Sequence, residues 1–478
     1  MSKNLKIFFF SLAILISNSI CSIAQSETWQ RVFGLDSNVQ GFYGLQTNDG
    51  GFLILGQWSP ESAFPNQTRV IRLDQFGNLI WMKNHLVQTK NSVIQDSDST
   101  FILIGYGGLS GGGLFKINYQ GDSILYREYG GGSIERFNSI KEYYDGGFII
   151  SGEKSNGLNS KGYVLRLNED LNVMWENAYY DSSYNSTSLG GEFVFDSNNN
   201  IAIPCGGYSV ETGLGDGGLL KLNPDGNLYL KKFYITSVRD GFEYIKIIGD
   251  KYALGGLASP VITYYALIDT NGSLISSRYY NDARAVYRLL TNSSSNELAF
   301  GGYDEDNSQT KMGIRKIDFM GNIIWTRKIS NALHISAPWA TITTSDHGYL
   351  LTGIYEDSIT HMFSLYVVKC DSSANTKPIS ISNQDLTVPD KFVLHHPFPN
   401  PFNGNVKIKY ELFQKKIYSM SIYDITGKLI SSVFNEIKNP GFYEIDLGEY
   451  FITSPSSVYF INLISNTDIL TRKIIYVK

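Results

Sequence analysis

The chain runs to 478 residues, too many for one ordinary hydrophobic core, so several domains or a repeat array are expected. Charged residues make up only 18%, while Gly (46), Tyr (32) and Phe (27) abound, which favours short aromatic strands and tight turns over amphipathic helices. A net charge of -5 without any Lys/Arg run excludes a phosphate-tracking surface, so no nucleic-acid partner is expected.

Residues 1–24 read as a secretory signal peptide. Lys3 and Lys6 precede an apolar run from Ile7 to Ile16, and Ser22-Ile23-Ala24 offers small residues for cleavage. The run is shorter than the roughly 20 residues a helical span needs, and no later segment reaches that length, so no transmembrane segment is expected after signal removal. Once Cys21 leaves with the signal, Cys205 and Cys370 remain.

From Trp29 onward two signals alternate. One is an apolar run closed by Gly, as in Asp49–Gly56 (DGGFLILG), which recurs seven times with Cys205 in place of Gly in the fourth unit. The other is a hairpin such as Val70–Trp81 (VIRLDQFGNLIW), with Asp or Asn at 74, 118, 168, 223, 269, 318 and 371. Their spacing of roughly 45–55 residues is that of propeller blades rather than helical solenoids. The run FLIL shows no alternation, as befits a strand buried on both faces. In Asn223-Pro224-Asp225-Gly226 the Asn side chain accepts a backbone bond, Pro224 presets φ, and Gly226 takes the left-handed conformation. Leu171 and Ala374 replace that Gly, so those two turns are expected to differ in detail.

The seventh unit lacks its fourth strand, yet Trp29–Gly34 (WQRVFG) aligns with the fourth-strand segment Leu125–Gly130. The first strand of the chain therefore completes the last blade. Residues 28–34 are expected to pair antiparallel with Leu365–Asp371, closing the ring and covering its edges. The predicted architecture is all-β: a seven-bladed propeller of four-stranded blades over residues 25–373, a linker over 374–388, and a small Ig-like sandwich over 389–478. Cys205 and Cys370 fall three blades apart as small buried hydrophobes, which argues against a disulfide. The units resemble the bacterial secreted repeat family with blades of the form DGGYIIAG…LIKLDSDGNLLW, over Trp29 to about Ser373. That resemblance implies a propeller outside the cytoplasm and attaches no single activity to it.

The C-terminal module carries Pro399-Asn400-Pro401-Phe402-Asn403, then Tyr423-Asp424-Ile425-Thr426-Gly427-Lys428, Val458-Tyr459-Phe460 and the closing Lys473–Lys478 (KIIYVK). These segments closely resemble the type A C-terminal sorting domain of the type IX secretion system, although Ser457 stands where members more often have Gly. The resemblance implies handling by the type IX secretion machinery, passage across the outer membrane, removal of the domain, and release or surface attachment. Its sorting-motif residues are then Pro399, Asn400, Pro401, Phe402, Asn403, Gly427, Tyr459 and Lys478. An appended Ig-like binding module is the competing reading.

The chain has no HExxH, Walker or CxxC pattern, so no catalytic residue, metal ligand or cofactor is assigned and the protein is expected not to be an enzyme. Asp196-Ser197-Asn198 and Asp304-Glu305-Asp306 are acidic enough for weak calcium binding, but they lack EF-hand spacing and read as solvated loops. Asp98-Ser99-Thr100 and Asp122-Ser123-Ile124 fit the short Asp-Ser/Thr pattern of envelope O-glycosylation, and ordinary turns equally well. The tight Asp/Gly turns share one face of the propeller. The variable loops Gln57–Thr68, Tyr208–Gly217, Tyr303–Met312 and Tyr355–Phe363 leave the other. Trp58, Tyr106, Tyr208, Tyr303 and Tyr355 stand at the roots of loops on that face, as candidates for stacking on a glycan or protein ligand or as covers for blade edges. The expected function is non-enzymatic binding of such a ligand at the cell surface or outside the cell, with a propeller-fold polysaccharide hydrolase or lyase as the alternative.

Overall fold

A computed structural model describes residues 27–478 apart from 34–38, 59–66, 86–87, 97–98, 107–110, 131–133, 156–158, 235–239, 259–261, 282–284, 293–296, 307–308, 330–337, 357–362, 382–391, 413–414, 440 and 466–467. The expected signal peptide lies outside the described residues.

Seven sheets built on four antiparallel strands follow one another along the chain, in sequential order in the first six, while the seventh takes its fourth strand from the start of the chain. Blade one consists of Val39–Gln46, Phe52–Trp58, Gln67–Leu73 and Leu79–His85. Blades two to seven begin with the inner strands Gln88–Gln95, Ile134–Glu142, Tyr184–Leu189, Asp240–Ile248, Ala285–Asn292 and Pro338–Thr343. Each inner strand packs against the neighbouring blade, and that of blade one touches that of blade seven, so the array is a closed ring. Phe52 and Ile54 pack toward blade seven, while Leu53 and Leu55 pack toward blade two. The second strand is thus buried on both faces, which explains the unbroken apolar run.

Ring closure follows the expected register. Trp29–Phe33 lies antiparallel to the third strand of blade seven, from Trp29 opposite Lys369 to Phe33 opposite Leu365. Ile379–Ile381 then adds parallel to the free side of Trp29–Phe33, so part of the stretch expected as a linker forms a fifth strand on blade seven. Cys205 and Cys370 are both buried and unpaired, and burial drives both thiols above their ordinary pKa.

The hairpin turns stitch blade to blade. In blade one the Gly77 N–H donates to the Asp74 carbonyl at 3.1 Å with Gly77 at φ 77°, and Asp74 Oδ1 accepts from the Phe76 and Asn78 amides. Trp81 of blade one covers the matching Gly121 of blade two, where an added Cβ would stand 2.7 Å from its ring. Its indole N–H donates to the Tyr119 carbonyl at 3.0 Å. The hydroxyls of Tyr129, Tyr179, Tyr234 and Tyr280, each ending a fourth strand, donate to the carbonyls of Leu171, Gly226, Gly272 and Gly321 in the next blade.

The turns at Leu171 and Ala374 do not differ, contrary to expectation. Both residues adopt the left-handed conformation, at φ 64° and 62°, and close the same bond as the glycines. A left-handed L-residue costs roughly 1–2 kcal/mol. At Leu171 the cost is offset by burial beside Leu125, which stands where other blades place Trp and leaves room for the side chain.

Within blades, a basic residue on the third strand meets an acid at the first turn. Arg72–Asp49, Lys116–Asp96, Lys221–Asp196, Lys316–Glu297 and Lys369–Asp346 pair at 2.5–3.3 Å, and Arg166 pairs with Asp145. Blade five has Leu267 at the basic position and lacks the pair.

The C-terminal module packs one sheet of Val393–Leu394, Lys407–Leu412 and Gly441–Asp446 against another of Lys416–Asp424, Leu429–Lys438, Ser457–Ser465 and Asp468–Tyr476. Phe402, Tyr410, Met420, Phe451, Tyr459 and Tyr476 belong to its core.

Candidate functional site: the central cavity and the sorting motif

The glycine that ends the apolar run of the second strand sets up the centre of the ring. At Gly152 and Gly256 an added Cβ would collide with the backbone carbonyls of Arg136 and Gly241 on the inner strand, and at Gly56 it would stand 3.1 Å from that of Gln40. This close approach coincides with a β-bulge, in which one inner-strand residue is left unpaired and re-aimed. One-residue register shifts fall at Phe42, Asn138, Glu243, residue 288 and Trp339 in blades one, three, five, six and seven. Phe42, Asn138, Glu243 and Trp339 line a central cavity of about 1070 Å³.

The walls differ around the ring. Blades one and seven contribute Phe42 and Trp339, with ring centroids 5.4 Å apart. Blades three, four and five contribute Glu153, Glu192, Asp240 and Glu243, with Gly206, Gly207, Gly215 and Gly241 between them. Asp240 is buried, and its Oδ1 accepts the Gly217 N–H at 2.6 Å. Burial raises the Glu153 carboxyl above its usual range against the pull of Arg136.

Nearer the turn face, Lys141, Glu192 and Lys246 meet from three blades. Lys246 Nζ contacts the two Glu192 oxygens at 2.6 and 2.7 Å, and Lys141 Nζ contacts one of them at 3.4 Å. Glu192 reaches the centre because blade four's inner strand breaks there. Pro204 on the adjacent strand has no N–H to offer, although its carbonyl still accepts from Gly190 at 2.8 Å. Residues 190–193 therefore leave the ladder, and pairing resumes only at Val194. Tyr43 is pushed up to about 12 by burial, with the Glu192 charge adding and a Ser92 hydrogen bond opposing.

The five aromatics expected to form a site all stand at the loop-face ends of second strands, yet only Tyr208 lines the cavity. Trp58 packs against the core between blades one and seven beneath the Arg69 guanidinium, 4.9 Å away. Tyr355 packs edge-on to Tyr366 at 6.3 Å. Tyr106 and Tyr303 are partly buried at their own blades. The bulged residues were missed because a bulge breaks the period-two pattern; the second-strand glycine was the available signal.

The Asp196 carboxylate is engaged within its own blade. Its oxygens accept the Asn198 and Asn200 amides at 2.9 and 3.0 Å and face Lys221 at 3.3 Å. The side chains of Asp304, Glu305 and Asp306, and residue Asp98, lie outside the described residues. Ser123 is buried, and Asp122 pairs with Lys83 at 2.5 Å, so this Asp-Ser motif is a turn rather than an exposed acceptor.

In the C-terminal module the two ends of the motif meet. Asn400 Oδ1 accepts the Ile475 N–H at 2.8 Å, and its Nδ2 donates to the Lys473 carbonyl at 3.0 Å. Phe402 bridges to the last strand at Tyr476 and buries its ring against Phe451 and Tyr476. Pro399, Pro401 and Asn403 stay exposed around this clamp. Exposed Gly427 closes its turn at φ 82°, the Tyr459 hydroxyl donates to Pro455, and the Lys478 amide donates to Ser456. Ser457, where a Gly was expected, opens a strand and pairs with Tyr476.

No curated protein sequence matches the chain. PorZ, described as an essential bacterial surface component of the type-IX secretion system of Porphyromonas gingivalis, aligns at 12% identity and TM-score 0.40, over 90% of this chain and 59% of its own. The β-propeller domain of the Trilobed protease from Pyrococcus furiosus aligns at 9% identity and TM-score 0.45, over 70% of this chain and 95% of its own. The Dos1 propeller aligns at 10% identity and TM-score 0.42, over 76% and 98%. This chain thus spans less than two thirds of PorZ, and its propeller assignment rests on its own strand pairing. Among the described residues no helix is long and apolar enough to cross a membrane. Residues 397–478 match the family described as "Secretion system C-terminal sorting domain", and they include the clamp of Asn400 and Phe402 on the last strand. The C-terminal module is a type IX sorting domain, and it directs the seven-bladed propeller across the outer membrane to the cell surface or beyond.

Proposed function

We propose that the exported propeller is a non-enzymatic binder of a glycan or protein ligand, held at the loop-face mouth of its central cavity. The observation that carries this is the set of bulges. Equivalent backbone distortions present Phe42, Asn138, Glu243 and Trp339, four different chemistries on one scaffold. An aromatic pair facing carboxylates suits stacking on a sugar or peptide together with acceptance of its hydroxyl or amide hydrogens. Tyr208 extends this surface outward. Glycan and peptide arrays probed with wild type and with Phe42→Ala, Trp339→Ala and Tyr208→Ala test it. Each substitution is expected to weaken capture by about 1–3 kcal/mol, and Asn78→Ala on the turn face is expected to leave it intact. Loss only through the turn face overturns the assignment.

The acids in the cavity favour one alternative, hydrolysis or cleavage of polysaccharide, because a carboxyl raised by burial is what a general acid requires. Glu153 has that property. If wild type releases new sugar ends from a captured polysaccharide and Glu153→Gln does not, the protein is an enzyme. Capture without release in both supports binding alone.

A further inference from the structure

Lys141 has more hydrogen-bonding capacity than the protein uses. Its ammonium carries three donors, yet its one hydrogen bond among the described residues is the 3.4 Å contact with Glu192, and its other charge contact is the Phe193 ring at 5.7 Å. Glu192 is already held at both oxygens by Lys246. Two ammonium groups therefore share one carboxylate, leaving one surplus positive charge at the floor of the cavity, while Glu153, Asp240 and Glu243 line it nearer the loop face. The side chain is 32% exposed, so the cavity reaches it. It lies three residues beyond the bulged Asn138 on the same strand, roughly 10 Å deeper than the mouth.

We infer that Lys141 is a binding position for an anionic group, a carboxylate or a phosphate, on a ligand entering the cavity from the loop face. This rests on the cavity being the ligand site and adds the charge of the group at its floor. Glu192 fixes the two lysines, and Lys246 neutralises it, so the incoming anion meets an ammonium whose partner is already satisfied. Burial lowers the Lys141 pKa, while the Glu192 charge raises it and Lys246 lowers it; an anion that restores its charge balance is bound more tightly as pH falls from alkaline values.

Acetylation of Lys141 by an N-hydroxysuccinimide ester, followed by peptide mass spectrometry on the full chain, reads occupancy directly. Glucuronate, inorganic phosphate and glucose serve as probes, with exposed Lys377 as the internal reference. Slowing of Lys141 by severalfold with glucuronate alone identifies a carboxylate site, with phosphate alone a phosphate site, and with both a general anion site. Equal slowing by glucose, or none with any probe, overturns the inference. The glucuronate- or phosphate-dependent rise in melting temperature is expected to vanish in Lys141→Met and to persist in Lys141→Arg; a rise kept in Lys141→Met also overturns it. Intact array capture by Trp339→Ala refutes the mouth as the ligand surface while leaving this assay readable, so the two failures are separable.

Discussion

The two faces of the propeller are built from one repeat and behave oppositely. On the turn face the blades repeat one set of contacts: a left-handed turn, a fourth-strand ring or hydroxyl over it, and, in every blade but the fifth, an acid–base pair at the first turn. On the cavity side the backbone repeats but the side chains change, from Phe42 to Asn138 to Glu243 to Trp339. Sequence repetition therefore marks what holds the ring together, and variation at a structurally repeated position is where the proposed function places ligand choice.

The strongest way to break this comparison is to remove the closing strand. Deleting residues 25–34 takes away Trp29 and Phe33, both buried, and leaves one side of blade seven's third strand unpaired. Loss of the folded monomer and aggregation are expected in size-exclusion chromatography; an equally stable truncation refutes closure. Deleting residues 390–478 in the native host is expected to strand the propeller in the periplasm, and surface display of that truncation would count against the sorting role.

Next in size is the turn glycine. Gly121→Ala combines a left-handed alanine with a Cβ 2.7 Å from the Trp81 ring and is expected to cost about 2–4 kcal/mol. Gly427→Ala has the same backbone sign but no atom within 4 Å of the new Cβ, so only about 1–2 kcal/mol is expected. Equal losses in urea titrations would show that the covering ring does not matter.

Acid should weaken the turn face before the cavity. For Asp49, burial acts to raise the pKa, but bonds from Thr47, Tyr119 and the Gly51 amide and the Arg72 charge outweigh it and hold the carboxyl well below its usual range. Asp196 is likewise lowered, its burial outweighed by bonds from Asn200, Asn198 and Lys221. These groups bind protons more readily unfolded than folded. Their stabilisation is complete above the unfolded value of about 3.9 and is lost as pH falls through the lower folded values. Melting temperature is expected to drop steeply below about pH 4, and less steeply in Asp49→Asn, which starts lower. A flat profile would refute this. The smallest effect belongs to Tyr303→Ala, which lies off the cavity and is expected to change ligand capture by only a few tenths of a kcal/mol.

Blade number, turn positions and ring closure were legible in the sequence because hairpin chemistry is local: an Asp or Asn, a Gly four residues from a Trp or Leu, and an orphan strand to match. The acid–base pairs were also written there, as Asp in DGG and Arg or Lys just before the turn, but they join segments about 20 residues apart and show no periodicity. The left-handed Leu171 was not legible, since its strain is relieved by Leu125 on another blade. The Lys141–Glu192–Lys246 cluster depends on a ladder broken by Pro204 and on three blades meeting, which no linear pattern carries.

The strand Ile379–Ile381 beside Trp29–Phe33 has a consequence for the order of events in export. The Tyr366 hydroxyl bonds the Gln30 side chain across 336 residues of sequence, so the ring shuts only when both ends of the propeller are present on the same side of the membrane. Closing that loop costs roughly 3 kcal/mol more entropy than closing a ten-residue hairpin, at about 0.6 kcal/mol per doubling. Blades made of neighbouring strands are therefore expected to assemble early and the seam to set last. Until then the chain is an open arc with two waiting edges.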